Sequence, residues 1–110
     1  MKRLILVILA IVVSACATPE PRVDNNAGAY NNRGVAYVLI GQYDQAISDY
    51  TKAIEINPEF ARAYNNRGVA YYFKGEYKKA WVDVSKAQSL GGQVTPGFFD
   101  SLRKASGRQE

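Results

Sequence analysis

The sequence predicts an all-α fold: two helix–turn–helix repeats followed by one closing helix. Three observations carry that prediction. The octapeptide Tyr30-Asn31-Asn32-Arg33-Gly34-Val35-Ala36-Tyr37 recurs unchanged as Tyr64-Asn65-Asn66-Arg67-Gly68-Val69-Ala70-Tyr71, an offset of 34 residues. The match continues through Gly41 and Gly75, Ala46 and Ala80, Asp49 and Asp83, Ala53 and Ala87, and a fixed period in this range marks a repeat architecture. Within each copy the spacing is helical: Tyr30, Gly34 and Tyr37 share one face at i, i+4, i+7, and so do Ala46, Tyr50 and Ala53. Gly41 and Gly75 fall between the two helical runs, where a tight turn needs backbone freedom.

Residues 1–15 read as an export signal. Lys2 and Arg3 are the positive start, Leu4 to Val13 is an unbroken apolar run, and Ser14-Ala15 are the small residues of a cleavage site. The run is too short to span a bilayer as a helix, which takes about 20 residues. Val13-Ser14-Ala15-Cys16 resembles the bacterial lipobox. That resemblance implies cleavage before Cys16, which would carry fatty acyl chains on its sulfur and amine; several chains give stable anchoring where one does not. The alternatives are an ordinary secretory signal with an incidental Cys, or an uncleaved N-terminal anchor. Ala17, not Asp, follows the Cys. Asp there would resemble an inner-membrane retention signal, so the expected location is the bacterial cell envelope, lipid-anchored in the outer membrane and facing the periplasm. Residues 16–26 form the lipidated Cys and a linker. Thr18-Pro19-Glu20-Pro21 is not helical, and about ten extended residues reach roughly 30 Å.

Asn25 or Asn26 is the expected N-cap of the first helix. The first repeat, residues 27–60, is expected to hold helices at 27–40 and 43–56, closed by Asn57-Pro58. The second, residues 61–94, holds helices at 61–74 and 77–90, closed by Gly91-Gly92 in a left-handed cap. Gly34 and Ala46 are both small, so the helices of a hairpin are expected to approach closely there. In the last segment, 95–110, Thr95-Pro96 reads as N-cap and first helical residue. Phe98, Leu102 and Ala105 then follow at i, i+4, i+7 in a capping helix over 96–105, with a frayed end from Ser106 onward.

Both copies resemble the tetratricopeptide repeat. The family's Trp position is held by Tyr30 and Tyr64, its Gly by Gly34 and Gly68, its first Tyr by Tyr37 and Tyr71. The small residue of the second helix is Ala46 and Ala80, the later Ala is Ala53 and Ala87, and the closing Pro is Pro58. Val84 departs from the aromatic that Tyr50 supplies, and Gly91-Gly92 departs from the Pro. The resemblance implies a short α-solenoid whose first helices line a concave peptide groove. Position by position, that groove would be lined by Asn31, Asn32, Val35, Val38 and Leu39, and then by Arg62, Asn65, Asn66, Val69, Tyr72 and Phe73. Amide side chains both donate and accept and can satisfy an extended peptide backbone; Tyr72 and Phe73 would be apolar anchors. Clamping of a peptide carboxylate is not expected, because only Asn32 and Arg62 fit that arrangement and valines stand at 35 and 69.

Arg33 and Arg67 occupy a position where the family usually places Leu. Asp49 and Asp83 recur at the same offset on the second helix of each hairpin. A repeated Arg–Asp ion pair is therefore expected, with the Arg as the half-buried member and removal of the Asp as the costlier change; the alternative is an Arg that snorkels to solvent.

Composition narrows the function classes. There is no His in the 110 residues and one Cys, which removes His-based nucleophilic triads, most zinc sites and any intrachain disulfide. No paired carboxylates, glycine-rich phosphate loop or metal-ligand cluster stands out, so neither an enzyme nor a cofactor is expected. Loss of Lys2 and Arg3 lowers the formal charge from +4 to +2. Lys74, Lys78 and Lys79 are interrupted by Glu76 and read as a solvated turn, so nucleic acid is not an expected partner. The leading function is a non-enzymatic envelope lipoprotein whose groove binds an unidentified protein or peptide, as an adaptor or assembly factor. The alternative is a structural lipoprotein that self-associates by stacking repeats between chains, since two repeats fall below the usual three.

Overall fold

The computed structural model describes residues 26–107. The export signal, Cys16 and the linker up to Asn25 lie outside the described residues, as do residues 108–110. Among the described residues all regular structure is helical: α1 Ala27–Leu39, α2 Tyr43–Ile56, α3 Ala61–Lys74, α4 Tyr77–Ser89 and α5 Phe98–Ser106. α1 packs with α2 and α3 with α4 as hairpins, α3 also packs on α2 and touches α1, and α5 closes the stack against α4. None of these helices is long and apolar enough to cross a membrane.

Local chemistry sets the helix ends. Asn26 is the N-cap of α1, and its side chain accepts from the Ala29 amide at 3.1 Å. α1, α3 and α4 all stop in the same way. Gly41, Gly75 and Gly91 take φ of 77°, 82° and 80°. The next residue then donates its amide to the carbonyl five residues back, as in Gln42 to Tyr37 at 2.9 Å and Gly92 to Ala87 at 2.9 Å. This is the Schellman closure, in which a left-handed residue lets the last carbonyls find donors. α2 instead ends at Asn57, whose side-chain oxygen accepts from the Glu59 amide at 3.2 Å.

The closing helix starts later than expected. Thr95 does not cap it: the Phe98 amide donates to the Thr95 carbonyl at 3.0 Å, and Gly97 sits at φ 87°, ψ −8°. Those are the marks of a type II turn with Pro96 and Gly97 at its two central positions. Pro-Gly turn chemistry wins over the Thr-Pro helix start. At the other end α5 includes Ser106, whose hydroxyl donates to the Leu102 carbonyl at 2.7 Å.

The core consists of three small clusters. Tyr30, Ala53 and Ala63 form one; Ala46, Tyr50 and Ala70 the next; Ala80, Val84 and Leu102 the last. The second and third correspond at the 34-residue offset: Ala80 and Val84 are the equivalents of Ala46 and Tyr50, and Leu102 of α5 takes the place on α4 that Ala70 takes on α2. The close approach expected at Gly34 is filled by a ring. A Cβ there would lie 2.5 to 2.9 Å from three atoms of the Tyr50 ring. The first hairpin thus uses its glycine to seat a ring.

Tyr50 is 1 % exposed. Burial, and then the charge of Asp49, push its hydroxyl up to about 12 from an ordinary 10.0. The folded chain disfavours the phenolate, so this share of stability is complete below pH 10.0 and is lost as pH rises toward about 12. At about 1.4 kcal/mol per pH unit, the loss is about 2–3 kcal/mol. Denaturant midpoints measured from pH 9 upward should fall, and Tyr50→Phe should flatten that fall; an unchanged slope in the variant would show that other groups set it.

Candidate protein-binding surface

Both expected ion pairs are present. Arg33 donates through Nε and Nη2 to the two carboxylate oxygens of Asp49 at 2.8 and 2.7 Å. Arg67 does the same with Asp83 at 2.7 and 2.8 Å. These are two-pronged, charge-assisted bonds, and they hold both guanidiniums above their ordinary pKa. Each Arg also lies over the ring of the Tyr three residues before it, at 5.5 Å for Tyr30 and 5.8 Å for Tyr64.

The burial is the reverse of the expectation. The Asp49 and Asp83 side chains are 7 % and 5 % exposed, whereas Arg33 and Arg67 are 54 % and 18 % exposed. The carboxylate sits between the helices of its hairpin and the arginine reaches in from the edge. The two arginines differ because of what precedes them. Arg67 has α2 beside it and donates through Nη1 to the Thr51 hydroxyl at 3.2 Å, while no described helix precedes α1.

The residues expected to line a groove separate into three groups. Asn31 is 1 % exposed and accepts from the Asn66 amide nitrogen at 3.0 Å, so the pair holds successive first helices together and Asn31 offers a partner nothing. Val38 packs against the Ala46–Tyr50–Ala70 cluster, and Tyr72 lies among Phe73, Tyr77 and Phe98 with ring centroids 5.4 to 5.7 Å away. Both, like Val69, are half-buried. Asn32, Val35, Leu39, Arg62 and Phe73 are exposed. Leu39 and Phe73 are repeat equivalents, 81 % and 54 % exposed, and Phe73 stacks on Tyr43 at 5.5 Å. At the opposite end of α3, Arg62 and half-buried Asn65 line a cavity of about 520 Å³ with Phe60, Ala61, Gly92 and Gln93. Two of its lining residues approach closely: a Cβ on Gly92 would come within 2.6 Å of the Ala61 Cβ.

Two of the three clustered lysines are paired. Lys74 bonds Asp44 and lies 3.4 Å from Glu76, and Lys79 is also 3.4 Å from Glu76. The hydrogen bond to Asp44, across the repeat boundary, holds Lys74 above its ordinary pKa. One surface was missed from the sequence: the outward side of α1, where Ala36 is exposed although its repeat equivalent Ala70 is fully buried. Asking of each copy which helix precedes it would have found that face.

Stacked helical hairpins of this kind, tied through small residues and conserved in geometry from one copy to the next, define a helical-repeat protein. A TPR repeat model matches residues 36–75 and a tetratricopeptide repeat model matches residues 61–90. Together they span residues 36–90, half of the chain, and the chain belongs to the tetratricopeptide-repeat family. No curated protein matches it as a relative.

Proposed function

We propose that this chain is a non-enzymatic adaptor or assembly factor, tethered in a bacterial outer membrane through acyl chains on Cys16, that holds a partner protein along its first helices. One observation carries the binding side of this reading: Leu39 and Phe73, large apolar residues at the same place in successive repeats, both stand in solvent. Exposed apolar residues in register are a feature of interaction surfaces. From the Arg62–Asn65 cavity to Phe73 the surface runs along α3 for about 16 Å, the reach of about five residues of extended peptide. Arg62 and Asn65 supply polar contacts at one end, and Phe73 with Leu39 the apolar anchor at the other.

The test is photo-crosslinking of the full chain in envelope preparations, with a benzophenone residue at position 62. The expected result is one dominant crosslinked protein that disappears in Leu39→Asp and in Phe73→Asp chains of unchanged helix content. Equal crosslinking in both variants would remove the groove reading. The anchor is tested separately. Cys16→Ser should abolish incorporation of a fatty-acid analogue and leave the unprocessed form, and equal label on variant and parent would rule out the lipobox.

A further inference from the structure

We infer that the chain can join copies of itself head to tail, with the outward side of α1 from one copy replacing α5 on α4 of the next, and that α5 is the plug that prevents this. The inference does not rest on the groove reading.

The chain itself contains the template for the contact. On α3, Ala63 and Ala70 are fully buried against α2, in clusters with Ala53 and with Ala46 and Tyr50. Beside them Asn66 donates to Asn31, and Arg67 donates to the Thr51 hydroxyl. α1 carries the same four residues at the same spacing: Ala29, Asn32, Arg33 and Ala36. There no described helix takes the place that α2 takes beside α3, although Arg33 still bonds Asp49 of its own hairpin. Ala36, Asn32 and Arg33 are exposed, and Ala29 is half-buried.

The complementary surface is also in the chain. α4 repeats the small positions of α2, with Ala80 and Ala87 for Ala46 and Ala53, and keeps a hydroxyl, Ser85, in place of Thr51. Seated on α4 as α3 is seated on α2, an incoming α1 would bring Arg33 to Ser85 and Asn32 to Asn65. Leu102 of α5 occupies that seat on Ala80 and Val84, with Phe99 edge-on to Trp81 at 5.3 Å.

Two physical facts make α5 a plug and not a fixed part of the stack. It has 9 residues, fewer than the roughly 12–15 that an isolated helix needs to persist in water, so its helicity depends on docking. It is also tethered by a short connection, which gives it an effective concentration on the order of millimolar at its seat. A second copy at ordinary concentration loses that competition until α5 is weakened. The interface is heterologous, so successive additions give rings or open filaments.

The test uses the full chain in density-matched non-ionic detergent, by sedimentation equilibrium. The unaltered chain is expected to be monomeric. Leu102→Ala should raise its self-association constant by roughly tenfold or more, and adding Ala36→Glu to the same chain should return it to monomer. The single tryptophan, Trp81, is a second readout. Its emission should shift to the red when Leu102→Ala is dilute and return toward the parent value as concentration rises. If Leu102→Ala loses helix content beyond α5, Phe99→Ala replaces it, because Phe99 is only half-buried. Folded variants that stay monomeric, or association that survives Ala36→Glu, would overturn the inference.

Discussion

Replacing Gly34 or Gly68 by Ala should destabilise the domain, although Ala is the better helix former by about 0.8–1.0 kcal/mol. The reason is space. A Cβ at 34 would stand 2.5 Å from Cε1 of Tyr50, and one at 68 would stand 2.6 Å from Cγ2 of Val84 and 3.1 Å from the Ala80 carbonyl oxygen. Tyr50 is 1 % exposed and Val84 fully buried, so neither can swing clear without displacing its own neighbours. Overpacking of this sort costs about 1–3 kcal/mol, and in a domain of this size each kcal/mol moves the melting midpoint by about 4–8 °C. The cause is separable from a general intolerance of Ala. Val84→Ala removes the atom in the way, so Gly68→Ala combined with Val84→Ala should cost less than the sum of the two. The corresponding relief for Gly34→Ala is Tyr50→Leu. Thermal melts that show Gly68→Ala at or above the parent midpoint, or additive costs in the pair, would contradict the close approach.

Much of this architecture is legible in the chain because the repeat supplies a second reading of every position. The hairpins follow from the octapeptide, the turns from Gly41 and Gly75, and the Arg–Asp pairing from joint recurrence. What recurrence conceals is the difference between equivalent positions, since identical residues have different neighbours. Asn31 and Asn66 bond each other across the repeat boundary, whereas Asn32, with no described helix before it, is exposed. Ala36 and Ala70 differ for the same reason. Treating the asparagines of the octapeptide as one groove-lining set therefore mixes an interface residue with surface residues. The start of α5 was obscured differently. Thr95-Pro96 carries a helix-start signal and Pro96-Gly97 a turn signal, and only the positive φ of Gly97 shows which is used. Family position likewise suggested that the Arg, standing in for Leu, was the buried partner. A long side chain at a helix edge can instead send its guanidinium to a short acid held between the helices, and that is the arrangement observed.

That arrangement fixes the sign of the last prediction. Arg67→Met should cost more than Asp83→Asn, because Met leaves a carboxylate only 5 % exposed without its cation, while Asn leaves an arginine with some access to water and a bond to Thr51. Removing one partner of a buried pair typically costs about 3–5 kcal/mol; the 18 % exposure of Arg67 places this pair toward the lower end. In the first repeat the order is the same and the effects are smaller. Arg33 is 54 % exposed, so solvent screens its attraction to Asp49, and the coupling should fall near the upper end of the roughly 0.2–1 kcal/mol measured for exposed pairs. Double-mutant cycles on both pairs, read from denaturant unfolding, measure the two couplings directly. The expected outcome is a coupling above about 1 kcal/mol for Arg67–Asp83 and a smaller one for Arg33–Asp49. Equal couplings would mean that α2, packed over Arg67, does not strengthen the pair. A costlier Asp83→Asn than Arg67→Met would return the arginine to the role of buried partner.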